Sequence, residues 1–86
     1  MEKDLKPIIE LLEEVQNDRT VPRNIRASVE EVIKELKNEK EEFTVRMNSA
    51  ISILDEISND PNIPMYTRTQ IWNIVSMLEM VQRNQE

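Results

Sequence analysis

The chain contains an internal repeat, and this feature limits its possible folds more than any other. Residues 12–36 recur without a gap as residues 54–78. Around the centre of each copy stand Asn-Asp, then Val or Ile followed by Pro, then an Arg. A duplicated unit of this size is one supersecondary motif, which cannot bury its apolar face alone. We therefore expect two copies of one motif packed together in a single domain, residues 1–86.

The composition favours helices over strands. The 86 residues include no glycine, the residue that normally supplies left-handed turns and phosphate-binding loops. Strong helix formers such as Leu, Glu, Lys, Met and Gln are abundant, and no β-branched and aromatic alternation is evident. The sequence therefore predicts an all-α protein without a P-loop or a dinucleotide-binding fingerprint.

Apolar residues recur at intervals of three and four, which predicts four amphipathic helices. The first begins with Asp4 as its N-cap and has Pro7 in its first turn. The second begins near Pro22 and ends near Asn38; by analogy with the first, the third begins near Arg46, after a connection within residues 38–44. The predicted buried positions are Leu5, Ile8, Ile9, Leu11, Leu12, Val15, Ile25, Val29, Val32, Ile33, Leu36, Met47, Ala50, Ile51, Leu54, Ile57, Ile71, Ile74, Val75, Leu78 and Val81.

Short predicted loops make neighbouring helices antiparallel. We expect an up-and-down antiparallel four-helix bundle built from two duplicated helical hairpins. The alternative is a stack of helix pairs of the HEAT type, because the spacing of Asp18, Pro22 and Arg26 is similar to a loosened HEAT repeat. Two repeats are few for an independent solenoid, so the closed bundle is preferred.

Several functional classes lack their usual residues. The chain has no histidine and no cysteine, so the commonest general base, nucleophile pairs and transition-metal ligands are absent. The acidic side chains are interpreted as solvated helix faces rather than metal ligands. We therefore expect a protein that is not an enzyme and that holds no cofactor. The absence of cysteines and of a long apolar run further predicts a cytoplasmic protein without a membrane partner.

Four arginines offer a possible binding site for an anion. A net charge of −6 argues against general affinity for nucleic acid. Two of the arginines recur in both copies and are interpreted as loop-closing partners of aspartates, in the pairs Asp18 with Arg26 and Asp60 with Arg68. The alternative hypothesis is a basic patch that binds an anion or nucleic acid, formed by Arg19, Arg23, Arg26 and Arg68.

The fourth predicted helix carries apolar residues beyond its buried face. Trp72 lies off the centre of that face, Met77 lies at its margin, and Met80 lies on the opposite flank. Met65 and Tyr66 extend the same margin. Either this helix uses a wide buried arc, or part of the arc binds a partner, since Trp, Tyr and Met are enriched at interfaces. The specific hypothesis is an interaction surface, Met65, Tyr66, Trp72, Met77 and Met80, that forms a homodimer.

The chain resembles a small archaeal family of uncharacterised proteins of about 85–90 residues. The resemblance is carried by SAISILDEISNDPNIPMYTRTQIWNIVSMLE, which is residues 49–79, and by VPRNIRASVEEVIKEL, residues 21–36. It implies a compact up-and-down four-helix bundle and an archaeal cytoplasmic source. The family has no established activity, so no catalytic residue is implied. Taken together, these observations predict a small protein-interaction module, with the anion-binding patch as the alternative.

Overall fold

The structure, a computed structural model, describes residues 5–84 and forms four α-helices in that range. In chain order the helices are α1 (Lys6–Gln16), α2 (Arg23–Lys37), α3 (Phe43–Ser58) and α4 (Met65–Asn84). The described residues include no β-strand. The predicted all-α class is therefore confirmed, with four helices in the predicted order.

One apolar cluster lies between the helices. Each helix contacts the next along the chain, and α4 also contacts α1. The molecule measures 35 × 20 × 19 Å, so α4, at about 1.5 Å per residue, runs along most of its length. Together with the short loops, these contacts are consistent with an up-and-down four-helix bundle. The largest fully buried side chains of the cluster are Leu5, Ile8, Leu12, Ile25, Leu36, Met47, Leu54, Ile71, Ile74 and Leu78.

The apolar spacing explains which face of each helix is buried. In α2 the side chains of Ile25, Val29, Val32 and Leu36 are all buried, which is the three-and-four spacing of one helical face. Burying each such side chain contributes about 1.5–3 kcal/mol. In α1, Pro7 lies in the first turn, where its missing N–H removes no helical hydrogen bond. The predicted N-cap, Asp4, lies outside the described residues.

The start of α3 differs from the prediction. The helix begins at Phe43, one turn before the predicted start near Arg46. The Phe43 ring is half-buried against the core, and the guanidinium of Arg46 lies 5.4 Å from the ring centroid. Arg46 also donates from Nη1 to the carbonyl oxygen of Leu36 (2.9 Å), near the end of α2. These contacts support the additional turn, and the connection shortens to residues 38–42.

The three loops are built in the same way. In each loop an Asp or Asn side chain accepts a hydrogen bond from the backbone N–H two residues later, and its carbonyl oxygen accepts the N–H three residues later. This Asx turn replaces the left-handed glycine that many helix connections use. The side-chain acceptors are Asp18 for Thr20 (2.9 Å), Asn38 for Lys40 (3.1 Å) and Asp60 for Asn62 (2.8 Å).

Within residues 5–84, none of the helices combines the length and the apolar character needed to cross a bilayer.

Candidate functional site

The candidate site is the outer face of α4, which we define as Met65, Tyr66, Thr69, Trp72, Asn73, Ser76 and Met80. Four of these side chains are large, apolar and unusually exposed: Met65 and Tyr66 at 65%, Met80 at 60% and Trp72 at 52%. The buried side of the same helix is formed by Ile71, Ile74, Val75 and Leu78. Trp72 therefore does not belong to the core. The sequence allowed two interpretations of the wide apolar arc of α4. The interpretation in which Trp72 is part of the buried arc is wrong.

The outer face of α4 is also free of charge along most of its length. From Met65 to Leu78 every exposed residue is uncharged, although 33% of the chain is charged. In α2, by contrast, five of the seven exposed residues are charged. Protein interfaces differ from other surfaces in just this respect, since charged residues are depleted at their centres and Trp, Tyr and Met are enriched.

Met77 occupies a different position from the other residues of the predicted surface. Its side chain is half-buried and packs against the core. It also lines a shallow groove between α1 and α4, together with Pro7, Met80 and Val81. Met77 therefore lies beside the outer face of α4, between that face and the core, and is not part of the exposed face itself.

The structure separates the four arginines of the predicted anion patch into two groups. Arg19 and Arg23 are exposed, and Arg23 lines an open groove that also contains Arg26 and Glu30. Arg26 and Arg68 are half-buried and donate to backbone carbonyl groups of their own loops. The Glu30 carboxylate in the groove weakens this cluster as an anion site, and so do the backbone bonds that hold Arg26 and Arg68 against their loops.

The predicted side-chain bonds between Asp18 and Arg26 and between Asp60 and Arg68 are replaced by bonds to the backbone. Nε of Arg26 donates to the carbonyl oxygen of Val21 (3.0 Å). Arg68 donates from Nε to Ser58 and from Nη2 to Asp60, in both cases to the backbone carbonyl oxygen at 2.9 Å. The aspartate side chains accept backbone N–H groups instead, because the Asx turn points them along the loop. The arginines therefore still close the loops, by donating to the loop carbonyl groups of Val21 and Asp60 and to that of Ser58 at the end of α3.

The Asp18 carboxylate is stabilised in its ionised form. Its oxygen accepts the hydroxyl of Thr20 (2.6 Å) and the backbone N–H of the same residue (2.9 Å). These two hydrogen bonds lower the pKa of Asp18 below 3.8, with a smaller contribution from the charge of Arg26. Since the folded-state pKa is lowered, the stabilisation is present above the ordinary carboxyl pKa and disappears as the pH falls through the lowered value.

A Thr20→Val variant tests this assignment. Removing the hydroxyl donor is expected to raise the pKa of Asp18 toward 3.8, because only the backbone N–H and the more distant Arg26 charge remain. The pKa is measured by following the carboxyl carbon of Asp18 in an NMR pH titration. A pKa unchanged from that of the parent protein would contradict the role given to the Thr20 hydroxyl.

Acidic side chains could in principle hold a metal ion. Over the part of the chain that the structure describes, no three carboxylates come close enough together to do so.

Arg46 is a structurally important residue that the alignment of the two repeat copies did not reveal. It is the only arginine in residues 5–84 that is buried, at 2% exposure. A signal was present in the sequence, since Arg46 follows Asn38 by the same interval as Arg26 follows Asp18 and Arg68 follows Asp60. The 42-residue repeat concealed it by aligning Arg46 with Asp4 rather than with the other two arginines.

Comparison with known proteins gives the family. Residues 1–81 match the family described as UPF0147, an uncharacterised protein family. The chain belongs to the UPF0147 family. A UPF0147 protein of Methanocaldococcus jannaschii is 57% identical over 81 residues, which cover 94% of this chain and 87% of the relative. A UPF0147 protein of Sulfurisphaera tokodaii is 47% identical over 81 residues, covering 94% and 91%. The predicted membership of an uncharacterised archaeal family is confirmed.

Two crystal structures share this fold. One is that of MMP1188, a protein of unknown function, which is 55% identical with a TM-score of 0.84 over 88% of this chain and 86% of that one. The other is a UPF0147 protein from Thermoplasma acidophilum, 36% identical with a TM-score of 0.86 over 91% and 92%. The UPF0147 family carries no assigned function, so a function for this chain has to be argued from its own surface.

Proposed function

We propose that this protein is a non-enzymatic protein-interaction module of the cytoplasm that self-associates through the outer face of α4. The observation that carries the proposal is the strip of exposed Met65, Tyr66, Trp72 and Met80 on a helix face without charge. Large exposed apolar patches on a small domain mark binding surfaces, because leaving them in water is unfavourable.

The outer sides of α1 and α2 support this choice by contrast. The outer sides of α1 and α2 carry charged residues such as Glu10, Glu14, Glu30 and Lys34, which favour contact with water. The arginine groove near Arg23 is open and contains Glu30. The outer face of α4 is therefore the best candidate for a surface that is covered in a complex.

Sedimentation equilibrium over a wide concentration range tests the proposal. We expect the average mass to rise from that of a monomer toward that of a dimer as the concentration approaches the millimolar range. A Trp72→Glu variant should raise the dissociation constant at least about 30-fold, since a buried aromatic residue at the centre of an interface contributes about 2 kcal/mol or more. Met80→Glu should act in the same direction.

Ala27→Glu is the matched control. Ala27 is exposed on α2, so this variant changes the net charge equally without touching α4, and it should associate like the parent protein. Circular dichroism confirms that each variant remains helical. A parent protein that stays monomeric at every concentration, or a Trp72→Glu variant that dimerises like Ala27→Glu, would disprove the proposed function.

A further inference from the structure

We propose that two copies pack with their α4 helices antiparallel, so that Trp72 of one chain faces the partner's Ser76. This inference rests on the proposed function, because it specifies the occupant and the geometry of the outer face of α4.

Large and small residues alternate along one row of the outer face. Met65, Thr69, Trp72, Ser76 and Met80 follow one another at intervals of four, three, four and four residues, and all five are exposed. Intervals of three and four form the seam along which two helices pack. The small Thr69 and Ser76 leave hollows on either side of Trp72.

An antiparallel pair fills these hollows. A two-fold axis level with Ile74, close to the middle of α4, places Trp72 opposite the partner's Ser76. The same axis brings Met80 to within one residue of the partner's Thr69, or about 1.5 Å along the helix. A parallel pair would instead set Trp72 against the partner's Trp72 and Ser76 against the partner's Ser76. In a parallel pair the two tryptophans would therefore be crowded against each other, and the two serines would leave a gap one turn further along. Such an arrangement is contrary to the close packing of interfaces.

The charges are compatible with the antiparallel pair. Two chains of net charge −6 repel one another, so their contact requires a surface that adds no further repulsion. Within residues 65–78 the only charged residue is Arg68, which is half-buried. On one edge of the face, Glu79 lies almost level with the partner's Arg68 in this arrangement. Arg68 uses two of its five N–H donors for the loop carbonyls, which leaves donors for a carboxylate.

The available area fits a weak dimer. A large side chain buries about 150–250 Å² when it is fully covered. The four large residues of the face are between half and two-thirds exposed, so they offer on the order of 500 Å² per chain and on the order of 1,000 Å² per dimer. This total lies at the lower limit for specific interfaces, and we expect a dissociation constant in the micromolar range or weaker.

Single cysteines test the direction of packing, because the chain has none of its own. Thr69→Cys and Met80→Cys are oxidised separately and as an equimolar mixture of differently tagged chains. In the antiparallel dimer residue 69 faces the partner's residue 80, so the mixed disulfide is expected in at least tenfold excess over either self-linked species. Two copies of residue 69 would lie about 15 Å apart along the axis, beyond disulfide reach. An Ala27→Cys variant, with its cysteine on α2, measures the background of disulfides that form by random collision.

The outcomes separate this inference from the proposed function. Self-linked Thr69→Cys and Met80→Cys without the mixed species would establish a parallel dimer, which overturns the inference and leaves the proposed function intact. A sedimentation dimer with no linkage above the Ala27→Cys background would place the interface elsewhere and overturn both. A monomer at every concentration, with no linkage above background, would likewise remove both.

Discussion

An Arg46→Ala variant is expected to unfold with about 3 kcal/mol less free energy than the parent protein. The guanidinium is buried, donates to the Leu36 carbonyl near the end of α2, and lies over the Phe43 ring. A charged hydrogen bond contributes about 1.5–3 kcal/mol, and the buried stem of the side chain adds packing. Since small domains are stable by about 5–15 kcal/mol in total, the loss should be large. Urea unfolding followed by circular dichroism measures it.

Two further variants separate the causes. Arg46→Met keeps most of the apolar stem but removes every donor, so the difference between the Met and Ala variants reports the packing alone. Arg26→Ala removes the arginine in the corresponding position of the first loop, where the side chain is only half-buried and makes one hydrogen bond to Val21. We expect about 1 kcal/mol for Arg26→Ala. Equal losses for Arg26→Ala and Arg46→Ala would show that burial at the α2–α3 connection adds nothing.

A Leu54→Ala variant is expected to lose about 3 kcal/mol and to lower the melting temperature by roughly 15 °C. Leu54 is completely buried between the helices, so truncation removes apolar contacts and leaves a cavity. The measurement is a thermal unfolding scan under conditions where unfolding is reversible.

The neighbouring residue provides the control. Ile53 is on the same helix but only half-buried, so Ile53→Ala should lose clearly less. Leu12 is equally buried and takes the place of Leu54 in the first copy of the repeat, so Leu12→Ala should resemble Leu54→Ala. A Leu54→Ala protein as stable as Ile53→Ala would contradict the central position of Leu54 in the core.

The helices were predictable from the sequence because their apolar spacing and their breaks agree. The stops at residues 17–22 and 59–64 contain Asx residues and prolines, and both signals fall where the apolar period ends. The connection at residues 38–42 has neither proline nor glycine, and its position was inferred from the repeat alone. That inference placed α3 one turn late, because the stabilising contacts of Phe43 and Arg46 have no equivalent in the repeat alignment.

The candidate site was predictable in part. The helical wheel indicated that Trp72 lies off the buried face of α4, and the structure adds that the exposed surface around it carries no charge. The partners of Arg26 and Arg68 were not predictable. The sequence spacing predicts that each arginine, in the first turn of the following helix, lies close to the aspartate at the start of the loop. Whether a carboxylate or a carbonyl oxygen accepts the arginine's hydrogen bond depends on how the Asx turn directs the aspartate side chain.

The common design of the three loops has a consequence for the order of folding. Each of the three consecutive helix pairs closes through a short loop with the same Asx turn, so their contacts are local in sequence. The contact between α1 and α4 alone requires both ends of the chain to meet. Chains dominated by local contacts fold within microseconds to milliseconds, and distant contacts close last because of their loop-closure entropy. The groove beside Met77 and Met80 is therefore expected to form after the rest of the helices have assembled.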